Sequence, residues 1–323
     1  MATYLITGAA GFVGSALAHA LSARGERVRA LDNLSTGKQE NLADIKDSID
    51  FIEADLMDSG ALARACEGAD YVLHQAAASP ALFSADIVRA NRANVEGTLN
   101  LLVAARNAGV KRLIFAACSS AYGDSPTLPK HESMLPNPLS PYAASKLAGE
   151  LYAAVFHRAY GLDTVALRYF SVFGPRQDST LEHPPVLARM ITTMLRDEEP
   201  VVYGDGEQSR DFTFVSNVVD ANLLACQASG KAVAGQVFNI ASGRRTTINQ
   251  TVRSLKRITL YDGQVYHGPE RPGDIRHSLA DLSRAAKHLG YKPMVGFEEG
   301  LERTVAWYRR ELPARQAGSG SLL

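Results

Sequence analysis

The stretch "SPYAASKLAGE" (140–150) sets Tyr142 four residues before Lys146 in a run that otherwise reads as helix. Residues i and i+4 share one helical face, so a phenol and an ammonium meet there. A phenol with a reference pKa near 10 acts as a base at neutral pH only after a lowering of about 3 units, roughly 4 kcal/mol. A nearby ammonium and a cationic ring together supply that in a poorly solvated site. Taken alone, such a pair is more often helix surface than a catalyst. Upstream, "FAACSSAYG" (115–123) closes an apolar run with Ser119 and Ser120. Open α/β sheets bind their ligands just beyond such strand ends, which shifts the reading of Tyr142 and Lys146 towards chemistry.

"LITGAAGFVGSAL" supplies a candidate cationic ring, because Gly8, Gly11 and Gly14 follow one apolar run and open a helical pattern. Such glycines serve a tight turn, close approach of backbone to a pyrophosphate, and close packing of helix on strand. The helix start adds unpaired N–H groups and a positive dipole end. Asp32 closes the second run, "RVRALD". A carboxylate there accepts hydrogen bonds from the adenosine ribose and repels a 2′-phosphate, so NAD is expected rather than NADP. Asp55 in "EADL" either reaches the adenine or is a plain strand-terminal aspartate. "STGKQ" (35–39) has half the pattern of a nucleoside-triphosphate phosphate loop, but Asp32 stands where that loop needs glycine.

The elements that must position these residues alternate. Strands are expected at 3–7, 27–32, 50–56, 70–77, 112–118 and 163–169, with helices at 12–24, 91–108 and 142–160. Near-continuous apolar strands between helices predict an α/β fold, a Rossmann-like doubly wound parallel sheet. Residues 1–170 are expected to form the NAD-binding domain, with a returning segment near 212–243. Residues 171–311 are expected to form mainly a smaller substrate-binding lobe, with helices near 185–197, 216–229, 278–289 and 296–311 and a strand at 236–241. The small polar residues of 312–323 suggest a flexible tail. At 323 residues the chain can bury a large core, and 34 basic residues against 34 acidic ones leave no global field for nucleic acid or a membrane surface. No apolar run reaches the length of a membrane span, and the start lacks a signal-peptide pattern. Cys66, Cys118 and Cys226 form no metal or disulfide pattern, the histidines show no ligand spacing, and a cytoplasmic setting without a catalytic metal is expected.

"TGAAGFVG", "DNLSTG", "HQAA", "YxxxK", "RYFSVFGPRQ", "GDGEQSRDF" and "RPGDIRHS" occur in order along nearly the whole chain. In these motifs the chain resembles the extended short-chain dehydrogenase/reductases of the NAD-dependent epimerase/dehydratase family, and within it the UDP-sugar 4-epimerases. The resemblance implies that NAD is held by Gly8, Gly11, Phe12, Val13, Gly14, Asp32, Asn33, Ser35, Thr36, Gly37, Asp55, Leu56, Gln75, Ala76, Ala77, Tyr142 and Lys146. It implies that Tyr142 takes the proton of the sugar O4 while C4 gives up hydride, with Lys146 tuning the phenol. The family's Ser or Thr four positions before Tyr122 is Cys118 here, which leaves Ser119 or Ser120 to assist.

By the same resemblance, Ser119, Ser120, Tyr142, Ser171, Arg210, Arg271, Asp274 and Ser278 contact the UDP-sugar. Family dehydratases carry an Asp-Glu pair where Ser119 and Ser120 stand; two hydroxyls provide no acid and base for elimination, so epimerisation is expected. Small Ser278 leaves room for a C2 N-acetyl group, implying UDP-GlcNAc/UDP-GalNAc as well as UDP-glucose/UDP-galactose. Ser171 replaces the usual Asn, and a hydroxyl there also fits UDP-glucuronate. In relatives the helices matching 91–108 and 142–160 pair two subunits, which implies a homodimer, although those faces equally suit packing on the sheet.

Overall fold

The computed structural model describes residues 1–182, 184–270 and 275–312. The strands β1 Thr3–Thr7, β2 Arg27–Asp32, β3 Ile49–Glu53, β4 Tyr71–His74, β5 Arg112–Cys118, β6 Thr164–Tyr169 and β7 Gln236–Ile240 form a 7-stranded sheet. Its order is β7-β6-β5-β4-β1-β2-β3 and every pairing is parallel. Alternate strand residues enter two separate cores. Tyr4 and Ile6 pack beneath α1 Phe12–Ala23, and Ile114 and Phe238 beneath α6 Val215–Gln227. Leu5, Leu113 and Phe115 pack beneath α2 Ser59–Cys66, α3 Gly97–Asn107 and α4 Pro141–Tyr160. A sheet buried on both faces explains the continuous apolar strands. The winding reverses between β1 and β4, and the crevice at their carboxyl ends is the place for a ligand.

Several elements differ from the sequence pattern. The helical pattern over 91–108 breaks into Ile87–Asn91, a π-helical turn Arg92–Glu96 that buries Asn94, and α3. Its extra residue per turn is a common device for re-aiming side chains at a site. A third core contains Phe173, Met190, Ile191, Phe212, Phe214, Leu255, Leu301 and Val305. It draws on α5 Val186–Leu195, α7 Ile248–Thr259 and α9 Phe297–Glu311. The helix α7 was not expected, although Thr247 and Gln250 form a reciprocal capping box at its start. The helix expected from 278, α8 Ser283–Leu289, begins only at Ser283, because His277 and Ala280 are held in extended bridges to Ser209 and Lys130. Residues 313–323, including nearly all of the expected tail, lie outside the described residues.

The helix α4 carries Tyr142 and Lys146, and its placement is over-determined. Ser140 caps it by accepting the Ala143 amide (3.1 Å), and Pro141 pre-sets the first turn. A Cβ at Gly149 would lie 2.5 Å from the Phe115 ring, so only glycine allows the helix this close to β5. The next residue, Glu150, accepts two hydrogen bonds from Arg168 of β6 at 2.8 and 2.6 Å, with both side chains buried. Glu150→Ala would leave the Arg168 guanidinium buried and uncompensated, and is expected to cost about 3–5 kcal/mol in urea unfolding.

Candidate active site

A cavity of about 540 Å³ opens at the carboxyl ends of β1, β4 and β5. Gly8, Gly11, Phe12, Val13 and Gly14 line one side, and Gln75 and Ala77 follow from β4. Cys118, Ser119, Ser120, Tyr142 and Lys146 line the opposite wall, while Ser171, Arg210 and Ser278 close the remaining side. Residues scattered from 8 to 278 thus face one space.

On the glycine side, Gly8 has φ +67°, and a Cβ at Gly14 would lie 2.0 Å from the Gly8 carbonyl oxygen. No side chain caps α1 at Gly11, so its first amides are left for a ligand at the Phe12–Val13 wall. This cradle fits a dinucleotide pyrophosphate. Asp32 is buried; its carboxylate accepts the amides of Ala10 and Leu34, both at 2.9 Å. Burial raises its pKa and those amide bonds oppose the rise. Each oxygen keeps a lone pair for a ribose hydroxyl. Gly37 sits over the carboxylate, where a Cβ would come within 2.8 Å of both oxygens. Asn33 donates to Asp55 (2.6 Å) and accepts from the Ser35 hydroxyl (2.7 Å), tying the ends of β2 and β3 together. Thr36 faces a neighbouring cavity that also reaches Gly11, while Leu56 packs against Gly97 and Ala76 against Gly8.

On the opposite wall, Tyr142 lies within hydrogen-bonding reach of the Cys118 sulfur, which also accepts the Ser120 amide (3.4 Å). Burial pushes the phenol well above its ordinary value, and Cys118 pushes it further. Burial also draws the Lys146 ammonium down to about 8, with Cys118 opposing. Lys146 Nζ lies 4.5 Å from the centre of the Phe115 ring. The sequence led us to expect the ammonium to lower the phenol; here dehydration of both groups dominates instead. Ser120 Oγ is buried without a partner among the described residues and lines the cavity, where its hydroxyl can meet a ligand.

Two polar networks hold these walls. Thr98 Oγ1 donates to the Asn94 carbonyl (2.6 Å), so it accepts from His74 Nε2 (2.9 Å), and His74 Nδ1 accepts from Thr7 (2.7 Å). The tautomer is therefore Nε2–H, assigned from the network. Burial holds this imidazole neutral, with its pKa down at about 3 and Lys146 reinforcing the shift. Asn94 continues to Ser145 (3.0 Å), whose hydroxyl donates to the Tyr142 carbonyl (2.8 Å). Beside it, Tyr169 donates to Gln75 (3.3 Å) and accepts from Asn222 (2.8 Å). Nothing in the sequence around Asn222 marks it, since it sits inside a helix far along the chain.

On the remaining side, Ser171 lines the cavity at φ +31°. Arg210 donates to the Ser209 carbonyl (3.1 Å), and the Ser278 amide donates to the same residue's carbonyl (3.1 Å). Asp211, unremarked in the sequence, is fully buried and accepts the amides of Ser242 (2.9 Å), Gly243 and Ala280 (both 3.1 Å). It fixes the loop that carries Ser278. Arg271 and Asp274 lie outside the described residues.

Residues 4–241 match the NAD-dependent epimerase/dehydratase family, and the chain belongs to that family. It is 37% identical to the UDP-glucose 4-epimerase of Mycolicibacterium smegmatis over 313 residues, 95% of this chain and 98% of that one. The structure of a UDP-N-acetylglucosamine 4-epimerase from Methanobrevibacter ruminantium with UDP-N-acetylmuramic acid aligns with TM-score 0.91 and 41% identity, covering 96% of this chain and 99% of that one. The Thermus thermophilus UDP-glucose 4-epimerase complex with NAD aligns with TM-score 0.87 and 36% identity, covering 96% and 100%. These relatives are named as 4-epimerases, which are isomerases, and the two solved structures share the fold along nearly the whole chain. Among the described residues, no helix is long and apolar enough to cross a membrane.

Cys66 and Cys226 are buried whereas Cys118 faces the cavity. Brief treatment of the native protein with iodoacetamide is therefore expected to label one thiol, and peptide mapping should place it at Cys118. Lys146 has a lower pKa folded than unfolded, so folding opposes its charge below about pH 8, and the penalty fades as pH rises towards 10.5. Nucleotide-free Lys146→Met is expected to be more stable than the parent by about 3 kcal/mol at pH 7, with the gap closing near pH 10 in melts across that range.

Proposed function

We propose that the chain is an NAD-dependent UDP-sugar 4-epimerase, acting on UDP-glucose/UDP-galactose and UDP-GlcNAc/UDP-GalNAc. The observation that carries this is the single cavity where Tyr142, Cys118 and Lys146 face the glycine turn. NAD, when bound, supplies a reversible hydride acceptor for sugar C4 and a positive ring beside the phenol. Tyr142 takes the O4 proton and later returns it. Cys118, against the phenol, takes the orienting position in place of the family's hydroxyl. Lys146 steadies the phenolate once it forms, because an unpaired anion in so buried a place is costly. The free Ser120 hydroxyl, and Ser119 next to it, hold the sugar. Neither is an acid, which favours epimerisation over elimination.

Epimerisation requires the sugar to present its other face, and small Ser171 and Ser278 on the cavity wall support room for that turn. Arg210, Arg271 and Asp274 are assigned to the nucleotide diphosphate and its ribose. The charged side chains lining the cavity among the described residues are Lys146 and Arg210. Lys146 serves the phenol and Arg210 is assigned to the diphosphate, which leaves neither for a sugar carboxylate, so a neutral sugar is favoured over a hexuronate. The reading includes a homodimer. Leu151, Tyr152, Val155 and Tyr160 leave an exposed apolar stripe on α4, suited to a second copy, and a monomer by light scattering would remove that part.

The test is chromatography after incubation with UDP-glucose, UDP-GlcNAc and UDP-glucuronate. The first two are expected to reach equilibrium with their 4-epimers, and all three unchanged would refute the reading. Tyr142→Phe should keep its dinucleotide yet lose turnover by about 10²–10⁴-fold; parent-like turnover would reject Tyr142 as the acid–base group.

A further inference from the structure

After β6 the chain leaves the sheet as a strap, "FGPRQDST" (173–180), that crosses the mouth of the nucleotide cleft. The strap is pinned on three sides. The Gln177 side chain donates to the Val172 carbonyl (2.9 Å), and the Gln177 carbonyl accepts a close hydrogen bond from the Tyr308 hydroxyl of α9. Asp178 accepts from Thr180 (2.7 Å) and pairs with Lys38 at 2.9 Å. The Lys38 amide in turn donates to the Ala10 carbonyl (3.0 Å) in the glycine turn.

Between these fixed points Arg176 holds φ +68°, a left-handed backbone that a side chain such as arginine rarely adopts. It lines a cavity of about 460 Å³ shared with Gly11, Phe12 and Thr36. Gly11, Phe12, Gln177 and Pro185 line this cavity and the catalytic one alike, so the two join at the start of α1. Arg176 is half-buried and has no hydrogen bond or ion pair with a described residue within contact range. Burial lowers its pKa, and the more distant carboxylates of Asp44 and Glu311 only partly offset that. Lys38, the other cation here, is already neutralised by Asp178. A strained backbone delivering an unpaired guanidinium beside uncapped helix amides is costly in the free protein and suits an anion with two or more oxygens.

We propose that Arg176 clamps the pyrophosphate of the bound dinucleotide, completing from the strap the phosphate site that the glycine turn begins. This rests on the reading of the cleft as an NAD site. It adds a cofactor residue that no spacing in the sequence marks, because Arg176 is brought to the glycine turn only by the fold.

The test uses the full chain and three variants, Arg176→Gln, Arg176→Lys and Arg176→Gly. The readout is equilibrium binding of NAD, ADP-ribose and adenosine to nucleotide-stripped protein, with urea unfolding alongside. Loss of a charge-assisted pair should weaken NAD and ADP-ribose on the order of 10- to 100-fold in the Gln and Gly variants, leaving adenosine within about twofold. The Lys variant should recover part of the loss. Arg176→Gly suits the left-handed backbone, so it should unfold no earlier than the parent while binding as poorly as Arg176→Gln, which separates the clamp from a folding defect. NAD binding within twofold of the parent in both Gln and Gly variants overturns the clamp alone. So does an equal loss for adenosine, which would mean that Arg176 only shapes the pocket. A parent that binds no dinucleotide overturns both the cofactor reading and the clamp.

Discussion

The contact between α4 and β5 governs the rest of the site. Gly149 lets the helix axis approach until the Phe115 ring fills the space a side chain would occupy, and Glu150 locks the next turn to Arg168 on β6. One turn towards the amino end, Lys146 lies over the same Phe115 ring, and Tyr142 then meets Cys118 at the strand end. The spacing of phenol, thiol and ammonium is therefore a by-product of helix-on-sheet packing. A shift of the helix by part of a turn would separate all three at once.

That packing has an electrostatic consequence. The helix and sheet enclose the phenol and the ammonium together, and burial moves each away from its charged form. In the same layer the neutral His74 imidazole links Thr7 of β1 to Thr98 of α3, where a charged group would be unsupported. The protein thus holds a set of neutral or reluctantly charged groups around the cavity, with His74 hydrogen-bonded on both ring nitrogens. In so dry a site one charge brought by a ligand acts strongly on its neighbours, raising the cost of a nearby cation and lowering that of a nearby anion.

Strain is distributed around the cleft in a related way. Leu34 beyond β2, and Ser171 and Arg176 beyond β6, all have left-handed backbones without being glycine. Each sits on a loop held by hydrogen bonds to a neighbouring element: Asp32 accepts the Leu34 amide, Thr213 donates to Ser171, and Tyr308 holds the strap beside Arg176. The surrounding framework offsets conformations that these residues would not choose, which is the usual condition for strain to persist near a ligand site.

Much of this was legible in the residues alone. β1, β2 and β5 end where their apolar runs end, because a strand buried on both faces has no other pattern available. Gly8 and Gly14 announced a phosphate turn, because only a missing side chain permits that approach of helix to strand. Local chemistry likewise marked the start of α4 through Ser140 and Pro141. The sequence also named Tyr142 and Lys146 as a pair, since i and i+4 is a local relation. It did not reveal that Cys118 would be the group against the phenol, that Asp211 would brace the loop of Ser278, or that burial would outweigh the ammonium. Nor did it reveal Asn222 or Arg176 near the cleft. Those facts depend on contacts between residues far apart in the chain and on the water that packing excludes, and neither is written in any short stretch of sequence.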